Sequence, residues 1–133
     1  MGKFYGNEYS RLGFQGVKDN GDQLCVCEGQ PANYTEATTL KDSGGKLLGF
    51  VSMAAGDFTI AAGDTNGRKV TVAAKSGVPI TNPLGGDADH VVVVDTGNSE
   101  MYLGTTITPA KTGLANGDSV NTPAFDDEWA DPT

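Results

Sequence analysis

The stretch that most narrows the fold is Asp87-Ala88-Asp89-His90-Val91-Val92-Val93-Val94-Asp95, followed by Thr96-Gly97-Asn98-Ser99 and then Glu100-Met101-Tyr102-Leu103-Gly104-Thr105-Thr106-Ile107-Thr108. β-Branched residues crowd both outer segments and turn formers separate them. This reads as a β-hairpin with arms over residues 90–95 and 100–108. Four successive valines cannot alternate between core and water, so their strand is expected to be buried on both faces. A sheet holding such a strand needs cover on both sides.

The rest of the chain has the same grain. With Gly 19 and Pro 6 in 133 residues, the segments between turn formers are short. That suits an all-β domain better than a helical one, and the length can bury a core without disulfides or metal. Residues 23–28 read as a strand ended by Pro31. Residues 46–53 read as another, with Leu47, Gly49, Val51 and Met53 on one face and Leu48, Phe50 and Ser52 on the other. Phe58 and Ile60 alternate inward, as do Val70, Val72 and Ala74, and Asn66-Gly67 between them suits a tight turn. Lys75-Ser76-Gly77 is expected to turn the chain ahead of a short edge piece limited by Pro79. Residues 109–116 read as loop, 117–122 as strand and 123–129 as a closing segment. Residues 34–41 stay open between strand, for their threonines, and short helix, for Glu36-Ala37. Roughly eight short strands at this spacing imply an antiparallel β-sandwich, jelly-roll or Greek-key like, over residues 23–133.

Residues 1–22 differ. They show no alternation, yet Phe4, Tyr5, Tyr9 and Phe14 supply four of the ten aromatics in the chain. Large aromatics pack onto something. Together with Leu12 they are the candidate contact residues of an extended N-terminal arm, which either folds over its own core or docks on a neighbouring subunit. Removing residues 1–16 is then expected to leave a folded domain with weakened docking.

Charge excludes several functions. The formal net charge is −8, and from Val51 onward Arg68, Lys69, Lys75 and Lys111 face eleven acidic residues. Nucleic-acid binding needs clustered Lys and Arg, and anionic lipid repels such a surface. No apolar run can span a bilayer, and no signal-like stretch follows Met1, so residence in a cytoplasm is expected. Cys25 and Cys27 fall on one face of their strand. With only His90 as a further soft ligand they read as small, reduced, buried hydrophobes facing the core, with Leu24 and Val26 on the opposite face.

No catalytic constellation stands out. Asp87 and Asp89, and Asp126, Asp127 and Glu128, read as solvated faces rather than a paired acid and base. The Gly turns Asp64-Thr65-Asn66-Gly67 and Asp19-Asn20-Gly21-Asp22 lack the spacing of a calcium loop. The chain is therefore expected to be non-enzymatic, with no catalytic, cofactor or metal residues.

One resemblance bears on the setting. Gln23-Leu24-Cys25-Val26-Cys27, Gln30-Pro31-Ala32-Asn33-Tyr34-Thr35-Glu36-Ala37-Thr38, Asp64-Thr65-Asn66-Gly67-Arg68-Lys69-Val70-Thr71-Val72, the Ala88-Asp89-His90-Val91 strand and Pro123-Ala124-Phe125-Asp126 resemble a family of small tailed-bacteriophage virion proteins. The resemblance runs from about Gln23 to the C-terminus. It implies a structural protein of the virion, of the head decoration or cement kind, made in the host cytoplasm and seated on the outer capsid surface. Its partners would be the major capsid protein and copies of itself, as dimer or trimer. A tail- or fibre-associated adhesin and a tail or connector subunit are the alternatives. The adhesin reading would need Trp129 with Tyr102 or Tyr34 on one exposed face, and no internal repeat of a fibre stalk is present.

Overall fold

The valine hairpin organises the molecule. The structure, a computed structural model, describes residues 4–5, 7–63 and 67–129, with side chains from residue 13 to residue 128. In chain order the elements are β1 (Phe4–Tyr5), α1 (Asn7–Asn20), β2 (Gln23–Cys27), α2 (Tyr34–Thr38), β3 (Leu47–Ser52), β4 (Phe58–Ala62), β5 (Arg68–Val72), β6 (Lys75–Pro79), β7 (Gly86–Asp95), β8 (Glu100–Leu114), β9 (Ser119–Thr122) and β10 (Phe125–Trp129). Short 3₁₀ turns at Lys41–Ser43 and Ala55–Asp57 join them. The strands form antiparallel sheets in the orders β1-β8-β7-β2-β3, β10-β5-β4 and β6-β9. The all-β expectation holds at that level.

Val91–Asp95 of β7 are buried on both faces because a core packs on each side of the sheet, and β2 lies beside β7 in register. Leu24 pairs Val93, Cys25 pairs Val92, and Val26 pairs Val91. Leu24, Val26, Val91 and Val93 enter the larger core, where Phe58, Val70, Val72 and Phe125 of the three-stranded sheet meet Val78 and Val120 of the two-stranded one. Cys25, Cys27, Val92 and Val94 face the other way and are covered by Ala37 of α2, with Tyr34 and Leu40 packed against them. The cysteines are buried and reduced, as expected, but they line the smaller core and not the main one. The residue pattern could not rank the two faces, since both are fully apolar.

α2 resolves the open stretch as helix. Asn33 caps it by accepting a hydrogen bond from the Glu36 amide at 2.9 Å, and the Glu36 carboxylate reaches back to the Ala32 amide. In β3 the expected faces fail at one point. Val26 pairs Gly49 but Cys27 pairs Leu47, so Leu48 is the extra residue of a bulge. Leu47 therefore turns to the cysteine side, while Leu48 joins Val51 and Met53 in the main core. Gly49 is required here, because a Cβ would collide with the Pro79 carbonyl oxygen where β6 crosses β3.

Three further expectations are corrected. Residues 7–20 are helical rather than an extended arm, with a break at Gly13 (φ 72°). Phe14 and Val17 lie three apart on that helix and enter the main core, a helical period that looks like absence of pattern when strands are sought. Lys75–Pro79 is strand throughout, and β8 runs on to Leu114 where loop was expected. The turn at residues 64–66 lies outside the described residues. Among the described residues, no helix is long and apolar enough to cross a membrane.

Candidate functional site

The acidic residues take on a structural role at the loops. Asp22 accepts from the Thr96 amide at 2.9 Å and the Thr96 hydroxyl at 2.6 Å, tying the end of α1 to the hairpin turn. Asp42 accepts from the Leu84 amide at 2.8 Å and from the Asn82 side chain, whose own oxygen accepts the Asp42 amide. Asp57 accepts the Ala54 amide and Lys75. Asp87 holds Gly113, Asp89 holds Gly29, and Asp118 holds Ala115, each through a backbone amide. Glu28 holds the Asp87 amide at 2.7 Å. Ionised carboxylates make strong hydrogen bonds to backbone N–H groups, so each loop is fixed at its root.

Asp95 is the deepest of them, with only 3 % of its surface exposed. It accepts the Tyr102 hydroxyl at 2.9 Å, the Asn98 side chain at 2.7 Å and the Asn98 amide at 3.2 Å. Burial pushes its carboxyl up, but the donors from Asn98, Tyr102 and Gly97 outweigh that and hold it below the usual carboxylate range. For Asp57 the hydrogen bond from Lys75 is the main cause of a similar lowering. Burial raises the Cys25 thiol to about 11 and lifts Cys27 further, so neither is a ready nucleophile. His90 Nδ1 lies 2.8 Å from Asp89, a carboxylate that also holds the Gly29 amide. Among the described residues, no group of three or more His, Cys, Asp and Glu side chains is arranged to hold a metal ion.

The sequence-derived contact residues divide. Phe4 and Tyr5 pair through their backbone with Gly104 and Leu103 of β8. Tyr9 and Leu12 lie on α1, and the side chains of all four fall outside the described residues, as does that of Trp129. Phe14 is buried in the chain's own core, which makes it a packing residue and not an exposed anchor.

The open surface lies elsewhere, at sites sequence reasoning missed. Leu84 stands 84 % exposed on the loop clamped by Asp42 and Asn82, and Phe50 is 45 % exposed on β3. The run Thr108–Gly113 of β8 is exposed throughout. Beside it, β8 and β9 flank two adjoining cavities of about 240 and 290 Å³ that share Lys111 and Asn121. A third cavity of about 350 Å³ lies between Tyr34 at the start of α2 and Met101 at the start of β8. The only sequence signal for this end was the lack of large apolar residues between Thr108 and Gly113. No family model, curated protein or solved structure matches the chain.

Proposed function

We propose that the chain is a non-enzymatic structural protein of a tailed-phage virion, a decoration or cement protein seated on the outer capsid surface. It would bridge capsomer junctions by binding the major capsid protein and copies of itself, as dimer or trimer. The observation that carries this reading is the use of the carboxylates. Asp22, Asp42, Asp57, Asp87, Asp89, Asp95 and Asp118 all fix loops or turns. Loops held so firmly present their tips at defined angles, which suits repeated docking on a lattice. The two larger sheets, facing one core, are read as a β-sandwich of jelly-roll or Greek-key kind. The acidic Asp126-Asp127-Glu128 stretch lies on β10, an edge strand, where charge discourages sheet-to-sheet aggregation of a protein held at high local density.

Phe4, Tyr5, Tyr9 and Leu12 are proposed as docking residues at the N-terminal end. Because Phe14 and Val17 belong to the core, a truncation testing this should stop at residue 12. Removing residues 1–12 is expected to leave a cooperative thermal transition and to weaken attachment. The direct test mixes purified protein with mature capsids of the encoding phage prepared without it, imaged by cryo-electron microscopy. Regular density over capsomer junctions is expected. Bare capsids would overturn the capsid assignment and favour a tail or adhesin role.

A further inference from the structure

The groove between the distal half of β8 and β9 stands apart from the rest of this acidic surface. Among the described residues, its two cavities are lined without a single Asp or Glu, in a chain with Asp+Glu 17 against Lys+Arg 9. Lys111 lies in both cavities and, among the described residues, has no ion-pair partner. Asn121 also lines both. Its side-chain oxygen accepts the Gly77 amide at 3.0 Å, which directs the amide nitrogen away from that contact, and among the described residues that nitrogen has no acceptor. The groove thus offers two solvent-facing donors with no protein acceptor among the described residues, while the nearest carboxylates, Asp87 and Asp118, are engaged with the Gly113 and Ala115 amides.

Apolar side chains bracket these donors, with Ile107 and Val120 belonging to the main core behind them. Ile107 and Pro109 lie at one end, and Leu114 and Val120 at the other. Among the described residues, β8 pairs with β7 and, at Leu103 and Gly104, with β1. β9 pairs with β6, so the two strands flank the groove with no hydrogen-bonded register between them. A short acidic residue set between apolar neighbours on an extended backbone matches that lining by charge and by alternation.

We infer that this groove is a docking site for an extended, acidic segment of a partner protein, with a carboxylate of that segment meeting Lys111 and Asn121. The inference rests on reading the chain as a docking protein, but it does not require the partner to be a capsid. It is tested on the isolated full chain by NMR titration of the ¹⁵N-labelled protein with a short capped peptide alternating glutamate with valine. Peptides carrying glutamine or lysine in place of glutamate serve as controls.

The expected result is saturable shifts confined to residues around Lys111, Val120 and Asn121. The glutamine peptide should bind roughly two- to fivefold more weakly, the usual worth of an exposed charge pair, and the lysine peptide should not bind. Lys111→Gln should give the same roughly two- to fivefold loss with the glutamate peptide. Asn121→Asp keeps an acceptor for the Gly77 amide, so the fold is retained, and it should weaken binding at least as much. Shifts elsewhere, absence of binding, or equal response to the lysine peptide would each overturn the inference. Bare capsids in the imaging experiment would leave this result standing, so the two failures are distinguishable.

Discussion

β7 and β8 form one hairpin with two unlike halves. Near the turn, Val91–Asp95 and Met101–Thr105 are buried on both faces, held by β2 on one flank and by the Asp95–Tyr102 hydrogen bond inside. At the far end, Thr108–Gly113 is exposed and its ladder to β7 is irregular, with Gly86 opposite Leu114 and Ala88 opposite Lys111. The same pair of strands is a core at one end and a surface at the other. The difference follows from composition. The near half carries valine, tyrosine and leucine, whose burial is worth about 1.5–3 kcal/mol each. The far half carries threonine, proline, alanine and lysine, which gain little from cover.

The largest effect should come from the near half. Leu24→Ala removes a side chain fully buried against Val93 and is expected to cost about 2–5 kcal/mol, read from the denaturation midpoint. A cost well below 1 kcal/mol would mean that this half is not the rigid part. Next comes Tyr102→Phe, which takes one donor from the buried Asp95 carboxylate at an expected cost of roughly 1–3 kcal/mol near neutral pH. A loss no larger than that of an exposed substitution would show that the bond is not structural.

The pH dependence sharpens the same point. Asp95 is held below its unfolded value, so its contribution is complete above the unfolded pKa and fades as pH falls through the folded one. Stability of the native chain should therefore drop below about pH 4. In Tyr102→Phe the folded value moves back toward the unfolded one, so the acid-induced drop should be shallower. An unchanged acid limb would assign the drop to other carboxylates, such as Asp57. The smallest effect should be in the far half. Thr112→Ala is expected to change stability by no more than about 0.5 kcal/mol.

How much of this could be read from residues alone varies with the kind of signal. The hairpin, its turn and the strand at Gln23–Cys27 announce themselves through β-branched runs and turn formers. The faces of β3 did not, because a bulge at Leu48 breaks the period without marking the sequence. The helix at Asn7–Asn20 was hidden by Gly13, which interrupts it, and by a core contact that, among the described residues, is made through Phe14 and Val17. The carboxylate clamps were also out of reach. Asp22 meets Thr96 and Asp42 meets Leu84 across long sequence separations, and no local spacing encodes either pair. The groove around Lys111 depends on where β9 lies relative to β8, a matter of tertiary placement.

The claim that one half of the hairpin builds and the other half docks is tested most directly by hydrogen exchange. The full chain would be compared free and bound to capsids prepared without it. The account predicts that amides of Val91–Asp95 exchange only by global opening in both states, whereas amides around Lys111 and Asn121 become protected on the particle. Protection that appears at the valine strand while the far half stays unchanged would contradict it.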